Sequence, residues 1–201
     1  MSHAVTYPVV ETFHSLQGEG YWAGVSAFFI RLGGCDVRCP FCDTKNSWNA
    51  SRHPLVPIEA LLQQALQAQP QIVVITGGEP LWHNLTPLTS LFRLHSLRLH
   101  LETSGAHPLT GEFDWITLSP KPFLPPVATI YEQADELKVV IQSAQDLEWA
   151  ETEAQKVKPS THLFLQPEWY QPDSRKLVID YILTHPHWRL SLQTHKYLGI
   201  S

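Results

Sequence analysis

Short apolar segments alternate with amphipathic segments along most of this 201-residue chain. Apolar, β-branched runs of about four to eight residues favour strands, whereas apolar residues about three and four positions apart favour helices. These patterns predict strands over 25–32, 71–76, 98–101, 114–118, 136–141, 162–166 and 188–193. Helices are predicted over 57–69 and 172–185, and Asn84 and Ser143 suit the position at which a helix begins. Residues 1–24 show little regular apolar periodicity and are assigned no element.

Strands that alternate with helices usually form a parallel sheet of βα units. About seven strands and few helices are too few for a complete barrel of eight units. We therefore predict an α/β fold, with residues 1–201 forming a single domain built as a partial, incomplete βα barrel with a mostly parallel sheet. The hydrophobic content of 43% and charged content of 16% fit a globular domain of this length.

Polar residues recur where the predicted strands end. They are Arg31, Thr76 to Glu79, Glu102 to Ser104, Ser119 to Lys121, Gln166 and His195. The carboxyl ends of the strands of a βα barrel share one rim, and ligands bind at that rim. We therefore predict one site there. Seen alone, the Gly77-Gly78-Glu79 segment could equally be an ordinary βα turn, although glycines also let a backbone approach a ligand closely.

All three cysteines of the chain lie in one loop after the first predicted strand: Cys35, Cys39 and Cys42, spaced Cys-x3-Cys-x2-Cys. Three thiolates this close together can ligate three irons of a [4Fe–4S] cluster. Because there is no fourth cysteine, one iron would stay open to an external ligand.

Other interpretations of this loop compete with the cluster. Buried, inert cysteines do not suit a loop that also carries Asp36, Arg38, Asp43 and Lys45. An odd number of cysteines without a recognisable export signal argues against a disulfide. Structural zinc with His53 is a weaker fit, because zinc ligands usually come as two separated pairs.

Charge and hydropathy limit the possible partners. The net charge is −5 and no lysine or arginine cluster occurs, so neither nucleic acid nor a membrane surface is an expected partner. No apolar run approaches the roughly 18 residues of a membrane span. We expect a cytoplasmic, soluble protein, because unpaired cysteines suit a reducing compartment.

The cysteine spacing resembles the signature of the radical S-adenosylmethionine (SAM) enzymes. Within that group the chain resembles the 7-carboxy-7-deazaguanine synthases. The resemblance spans most of the chain and is carried, in order, by FHSLQGEG, RLGGCDVRCPFCDTKNSW, TGGEP, ETSG, SPK and LQP. Activating enzymes for glycyl-radical proteins share some of these features. Small departures are Asp36 and Val37, where the family often has asparagine and leucine, and Ser201 as the last residue.

The resemblance implies roles for particular residues. Cys35, Cys39 and Cys42 would ligate the cluster, and Thr44 would ligate Mg²⁺. SAM would be bound by Gly78, Glu79, Ser104, Ser119, Pro120, Lys121 and Gln166. The substrate would be bound by Leu16, Gln17, Gly18, Arg31 and Thr76. Arginine suits a substrate carboxylate because it can pair with both oxygens, and Mg²⁺ prefers oxygen ligands.

The resemblance also implies a function. The enzyme would be a radical SAM lyase that converts 6-carboxy-5,6,7,8-tetrahydropterin to 7-carboxy-7-deazaguanine with loss of ammonia, in queuosine biosynthesis. It would use a [4Fe–4S] cluster, SAM and Mg²⁺, receive electrons from a flavodoxin or ferredoxin, and form a homodimer. The alternatives are a glycyl-radical activase, which would need a groove for a polypeptide, and a non-catalytic iron–sulfur or zinc module, which would not cleave SAM.

Overall fold

The computed structural model describes residues 4–200, which form nine β-strands and five α-helices. The strands are β1 (Thr6–Leu16), β2 (Ser26–Leu32), β3 (Leu55–Pro57), β4 (Ile72–Gly77), β5 (Leu99–Thr103), β6 (Trp115–Leu118), β7 (Glu136–Ile141), β8 (His162–Pro167) and β9 (Arg189–Leu190). The helices are α1 (Ile58–Ala68), α2 (Thr86–Leu94), α3 (Ala144–Ala154), α4 (Pro172–Thr184) and α5 (Thr194–Leu198). Within this range no helix has both the length and the apolar character that crossing a bilayer requires.

All the strands belong to one sheet, in the order β3-β1-β2-β4-β5-β6-β7-β8-β9. From β2 through β9 every neighbouring pair is parallel. β1 is antiparallel to both of its neighbours, β2 and β3. Across residues 4–200 the edge strands β3 and β9 do not pair with each other, so the barrel is open. The predicted α/β fold with a mostly parallel, incomplete barrel is confirmed.

The two faces of the sheet have different partners because strand side chains alternate in direction. On β5, Leu99 and Leu101 are fully buried in the main apolar core, which also contains Leu88 of α2. Glu102, which follows Leu101, is hydrogen-bonded instead to Lys138 of β7. The helices therefore cover one face, and the other face carries the polar groups from which the site is built.

The N-terminal segment departs from the sequence prediction, because β1 lies within the stretch that was assigned no element. Its first half contains three consecutive buried residues, 7–9, and its second half is exposed or half-buried. A strand near the sheet edge needs no continuous apolar run, because one face meets solvent. The missing apolar signal thus reflects the position of β1 in the sheet.

Smaller differences concern where elements begin and end. The last predicted strand, 188–193, shrinks to the exposed pair Arg189–Leu190 at the sheet edge, although Ser191 N still donates to Leu165 O at 2.9 Å. α2 begins at Thr86, so Leu85 holds the capping position, while Asn84 Oδ1 accepts from Thr86 N at 3.1 Å. Ser143 is the N-cap of α3, as predicted, and its backbone N donates to Asp146 Oδ2 at 2.8 Å in a capping box.

Candidate active site

A cavity of about 240 Å³ opens at the carboxyl ends of the parallel strands. Its wall receives Arg31 from β2, Thr76 from β4 and Gln166 from β8, together with Ser119 just after β6. Parallel strands place these ends along one edge of the sheet, as predicted. The structure thus brings together polar residues that are as much as 135 positions apart in the chain, counting from Arg31 to Gln166.

The three cysteines line this cavity. Cys35 is buried, Cys39 and Cys42 are half-buried, and all three are free thiols. The loop that carries them is held at its start by two backbone bonds: Gly34 N donates to Ser47 O at 2.7 Å, and Cys35 N donates to Trp48 O at 3.1 Å. Burial raises the pKa of the Cys35 and Cys39 thiols. Binding of a metal would therefore have to displace their protons.

The structure favours a cluster over a single structural zinc ion. Within residues 4–200 no three histidine, cysteine, aspartate or glutamate side chains are grouped so that they could hold one metal ion. His53, the candidate fourth zinc ligand, has its Nε2 2.9 Å from Asn46 O. A [4Fe–4S] cluster makes a different demand, because each thiolate bonds a separate iron. Three free thiols around one cavity fit that demand.

Two glycines bring the end of β4 against the cysteine loop. A Cβ at Gly78 would lie 2.2 Å from Gly34 O and 2.8 Å from Cys35 Cβ, and a Cβ at Gly77 would lie 2.4 Å from Leu32 O. The backbones approach so closely that no side chain fits between them. This contact fixes the start of the cysteine loop over the end of β4.

The Gly78→Ala variant should therefore lose both stability and function. The methyl group would push against backbone, which cannot rotate away, and overpacking of this kind costs about 1–3 kcal/mol. We expect a lower urea midpoint and a reduced iron content after reconstitution. Gly24→Ala is the control, because its Cβ would meet open space and only the strain of its positive φ would remain. Gly24→Ala can lose stability through that strain, but it should keep the iron content of wild type; an equal loss of iron in the two variants would contradict the proposed contact.

Glu79 is buried beneath the cavity and holds the end of β5. Its Oε1 accepts from Thr103 Oγ1 at 2.6 Å and from Leu81 N at 3.0 Å, and its Oε2 accepts from Ser104 N at 2.8 Å and Ser104 Oγ at 2.5 Å. A carboxylate offers about four acceptor positions, and these bonds use all of them. In this structure Glu79 shapes the cavity by positioning Thr103, the last residue of β5, and Ser104, which follows it.

The other residues predicted to contact SAM also lie at the rim. Lys121 Nζ donates to Ser119 O at 2.5 Å and to Ser119 Oγ at 2.8 Å. Burial lowers the pKa of the Lys121 ammonium. Gln166 Oε1 accepts from Ser191 Oγ at 2.8 Å. Pro120 lies between the two cavity-lining residues Ser119 and Lys121 but does not itself line the cavity.

A second cavity of about 190 Å³ adjoins the first. Every residue predicted to contact the substrate, and the predicted Mg²⁺ ligand, lines it: Leu16, Gln17, Gly18, Arg31, Thr44 and Thr76. Arg31, Thr44 and Thr76 line both cavities. The structure therefore separates the two predicted residue sets into neighbouring spaces with a shared wall.

Two residues of the shared wall already have partners. Arg31 Nε lies 2.8 Å from Glu11 Oε1 on β1, and the Arg31 side chain is 20% exposed. The ion pair engages Nε, and a bidentate contact with a carboxylate can use the terminal nitrogens. Thr44 Oγ1 donates to Asp43 Oδ1 at 3.0 Å, so its oxygen keeps lone pairs for a cation.

A buried cation surrounded by acids was missed by the sequence analysis. Lys138 on β7 is 4% exposed and donates to Glu19 Oε2 at 2.6 Å and to Glu102 Oε2 at 2.9 Å. Glu102 Oε1 in turn accepts from Gln17 Nε2 at 3.2 Å. Burial disfavours the charge on Lys138, but the neighbouring carboxylates outweigh it and raise its pKa. A lysine in the middle of an apolar strand was the available signal.

The same acids affect one another. Burial raises the pKa of Glu19, yet the charge and hydrogen bond of Lys138 outweigh it and hold that pKa below its ordinary value. Burial is the main cause that raises the pKa of Glu102. The positive charge of Lys138 lowers this pKa and the negative charge of Glu19 raises it, and the net result is a raised pKa. Lys138 thus keeps one acid firmly ionised between the two cavities.

Glu136 on β7 should make stability depend on pH. Burial is the main cause that raises its pKa to about 7. An acid whose pKa is raised on folding binds more protons folded than unfolded, so its contribution to stability declines as pH rises from about 4.5 to 7. In the structure Tyr21 N donates to Glu136 Oε2 at 3.0 Å. The Glu136→Gln variant keeps an acceptor for this bond but carries no negative charge.

We therefore expect Glu136→Gln to gain stability relative to wild type as pH rises, by on the order of 2–3 kcal/mol at pH 8. Urea unfolding at pH 5 and pH 8 would measure it. Glu132→Gln is the control, because Glu132 is exposed on the adjoining loop. A difference between Glu136→Gln and wild type that stays constant with pH would show that Glu136 is not held at a raised pKa.

The C-terminal helix closes the second cavity. A Cβ at Gly18 would lie 2.2 Å from His195 Nδ1, so the glycine allows α5 to pack against the loop after β1. Burial lowers the pKa of His195. The sequence analysis placed His195 at a strand end, whereas it lies in α5 and lines the second cavity.

Comparison with known proteins agrees with this geometry. The sequence profile of the radical SAM superfamily matches residues 29–139, which hold the cysteine loop, strands β3 to β6 and the first part of β7. The chain is 61% identical over 196 residues to the 7-carboxy-7-deazaguanine synthase of Synechocystis sp., an alignment that covers 98% of this chain and 94% of the relative. It is 34% identical to the Escherichia coli K12 protein of the same name, with 97% and 99% covered.

Among solved structures, the crystal structure of QueE from Escherichia coli is similar in fold. The TM-score is 0.84 at 32% sequence identity, and the superposition covers 93% of each chain. The similarity in fold thus extends over nearly the whole chain.

Proposed function

Because this chain belongs to the 7-carboxy-7-deazaguanine synthase family of the radical SAM superfamily, we propose that residues 1–201 form one catalytic domain that converts 6-carboxy-5,6,7,8-tetrahydropterin to 7-carboxy-7-deazaguanine. The reaction contracts a ring with loss of ammonia and serves queuosine biosynthesis. The observation that carries the proposal is the pair of adjoining cavities. The thiols line the first cavity and Gln17 lines the second. Arg31, Thr44 and Thr76 line both.

Cys35, Cys39 and Cys42 would hold three irons of a [4Fe–4S] cluster. The fourth iron would be left for the amino and carboxylate groups of SAM. When bound and reduced, the cluster and SAM would supply a radical able to abstract hydrogen from the substrate. The protein must then place the substrate within reach of that radical, and the shared wall between the two cavities supports such placement.

Several residues of this chain would bind SAM. Gly78 lies against the cysteine loop with no side chain in the way. Glu79 orients Thr103 and Ser104. Ser119, Pro120, Lys121 and Gln166 would complete the site on the far side of the rim. The aromatic rings of Phe41, Trp48, Trp169 and Tyr170 line the same cavity and would exclude water from it.

The substrate would lie in the second cavity. Arg31 would pair with its carboxylate, and Leu16, Gln17, Gly18 and Thr76 would contact the ring. Thr44 would supply a hydroxyl oxygen to a Mg²⁺ ion that also contacts substrate oxygens, which would stabilise negative charge during the rearrangement. Glu19 and Glu102, held by Lys138, add acceptors for ring N–H groups.

Electrons for the cluster must come from outside the chain. We propose a flavodoxin or ferredoxin as donor, a homodimer as the assembly and the cytoplasm as the compartment. Similarity to the family supports these three proposals, and free thiols suit a reducing compartment. Sedimentation of the reconstituted protein would test the dimer.

Arg31 offers a test that separates this proposal from an activase. We expect Arg31→Lys to raise the KM for the carboxytetrahydropterin about tenfold and Arg31→Ala about a hundredfold, because the bidentate contact is lost. Cleavage of SAM without substrate should persist in both variants. An unchanged KM in Arg31→Ala would contradict the proposed carboxylate contact. An activase that acts on a polypeptide would instead cleave SAM and not convert the carboxytetrahydropterin, in wild type or variant.

A further inference from the structure

Helix α5 and the residue before it connect three loops that surround the site. Thr194 donates to Gly18 O through both its backbone N and its Oγ1, each at 2.9 Å, which ties α5 to the loop after β1. Trp169, in the loop after β8, packs edge-on against Tyr197 with ring centres 5.1 Å apart. The third loop is the one that carries the cysteines, and Lys196 reaches it.

The Lys196 ammonium has partners on several sides. Its Nζ donates to Asp43 Oδ2 at 2.8 Å and to Gln193 Oε1 at 3.0 Å. It also lies 5.2 Å from the centre of the Trp169 ring and 5.9 Å from that of Tyr170. The side chain is 19% exposed. A lysine held by a carboxylate, an amide and two rings has lost most of its freedom to move.

Asp43 is the point at which this contact acts on the cysteine loop. It directly follows Cys42 and directly precedes Thr44, and its second oxygen accepts from Thr44 Oγ1. The other end of the loop has its own side-chain contact, between His107 Nε2 and Asp36 Oδ1 at 3.0 Å. The two contacts hold the loop at residues adjacent to its first and last cysteines.

The contact continues from Lys196 into the buried acids. Gln193 accepts from Lys196 and donates through Nε2 to Glu19 Oε1 at 3.0 Å. Glu19 is the carboxylate that Lys138 holds between the cavities. Hydrogen bonds therefore connect Thr44 to Glu19 in series, by way of Asp43, Lys196 and Gln193.

We propose that Lys196 is a positioning residue that fixes the Cys42–Thr44 segment against the second cavity. This proposal rests on the proposed function, in which Cys42 ligates iron and Thr44 ligates Mg²⁺. Lys196 lines the first cavity and would act through Asp43, to which its Nζ donates. Without it, Asp43 would lose its bond to α5, and both metals would bind less securely.

The test measures iron retention, which does not depend on turnover. Wild type, Lys196→Met, Lys196→Arg, Asp43→Asn and the double variant Lys196→Met/Asp43→Asn are reconstituted anaerobically. Loss of iron to a chelator is followed by absorbance. Lys196→Met and Asp43→Asn should each lose iron about tenfold faster, because a hydrogen bond between charged partners is gone. Lys196→Arg should restore most of the retention, because it keeps a cation at the same place.

The double variant decides whether Lys196 acts through Asp43. If it does, the double variant loses iron no faster than either single variant. The Mg²⁺ concentration for half-maximal rate should also rise about tenfold in Lys196→Met. Lys176→Met is the matched control, because Lys176 pairs with Asp180 on the exposed side of α4 and should retain iron like wild type.

Two results would overturn the proposal: wild-type iron retention in Lys196→Met, or effects of the two single variants that multiply in the double variant. Circular dichroism of the apoproteins shows whether α5 remains folded, and Asp43→Asn tests the pair without altering α5. Iron retention can be read whatever product the enzyme makes, so a wrong substrate assignment would leave this test intact.

Discussion

Replacing Cys39 with alanine is expected to reduce formation of 7-carboxy-7-deazaguanine to background. The chain has three cysteines in all, so no other thiol can take the place of Cys39. A cluster held by two thiolates should lose iron during gel filtration. Iron and sulfide per chain, together with product measured by mass, would test the expectation.

The apoprotein of Cys39→Ala should remain folded. Because burial raises the pKa of the Cys39 thiol, the group is neutral at pH 7 and its removal leaves no unpaired charge. The thiol is also only half-buried, so the lost packing should cost less than about 1 kcal/mol. Apoprotein that unfolded at the wild-type urea midpoint would show that lost activity reflects the cluster. Full activity with a normal iron content would refute the ligand assignment.

Replacing Lys138 with methionine should be the most destabilising change described. Methionine fills similar space but leaves the carboxylates of Glu19 and Glu102 buried without their shared cation. Removing one partner of a buried ion pair costs about 3–5 kcal/mol, a large part of the roughly 5–15 kcal/mol that stabilises a typical domain. Substrate turnover should fall as well, because these acids line the cavities.

The loss in Lys138→Met should grow with pH. In wild type Lys138 holds the pKa of Glu19 below its ordinary value. The stability that this pair contributes is therefore present at neutral pH and is lost as pH falls through that lowered pKa. Without Lys138, burial alone would raise the pKa of both acids, and they would be neutral, and therefore tolerated, in mild acid. Urea unfolding at pH 5.5 and pH 8 measures the difference.

Two controls accompany this prediction. Lys176→Met removes an exposed pair and should cost about 0–1 kcal/mol. Adding Glu19→Gln and Glu102→Gln to Lys138→Met should recover part of the lost stability, because the unpaired charges are gone. A loss of equal size at both pH values would mean that packing around Lys138, and not its charge, is what matters.

The sequence predicted the parallel part of the fold well because its signals are local. The strands β2, β4 and β7 are apolar runs bounded by glycine or polar residues, and the C-terminal polar residues mark one rim. The cysteine loop and Gly78 can also be recognised from a few consecutive residues. The predicted substrate residues fall together in one cavity, although no local pattern required this.

Contacts between distant residues could not be predicted in the same way. Lys138 and Glu19 are 119 positions apart, and Thr194 and Gly18 are 176 apart. Arg31 was predicted to pair with a substrate carboxylate, and its partner in the structure is Glu11 on β1, a strand whose exposed face gave no apolar signal. The missing information in each case was which strand or helix lies beside which.

The central claim is tested most directly by an anaerobic assay. The cluster is reconstituted and reduced, SAM, Mg²⁺ and 6-carboxy-5,6,7,8-tetrahydropterin are added, and 7-carboxy-7-deazaguanine is sought by mass. We predict that the product forms with wild type and is absent with Cys39→Ala. Cleavage of SAM without that product would contradict the assigned substrate. Failure to cleave SAM with a loaded, reducible cluster would contradict the assignment of this site to radical chemistry.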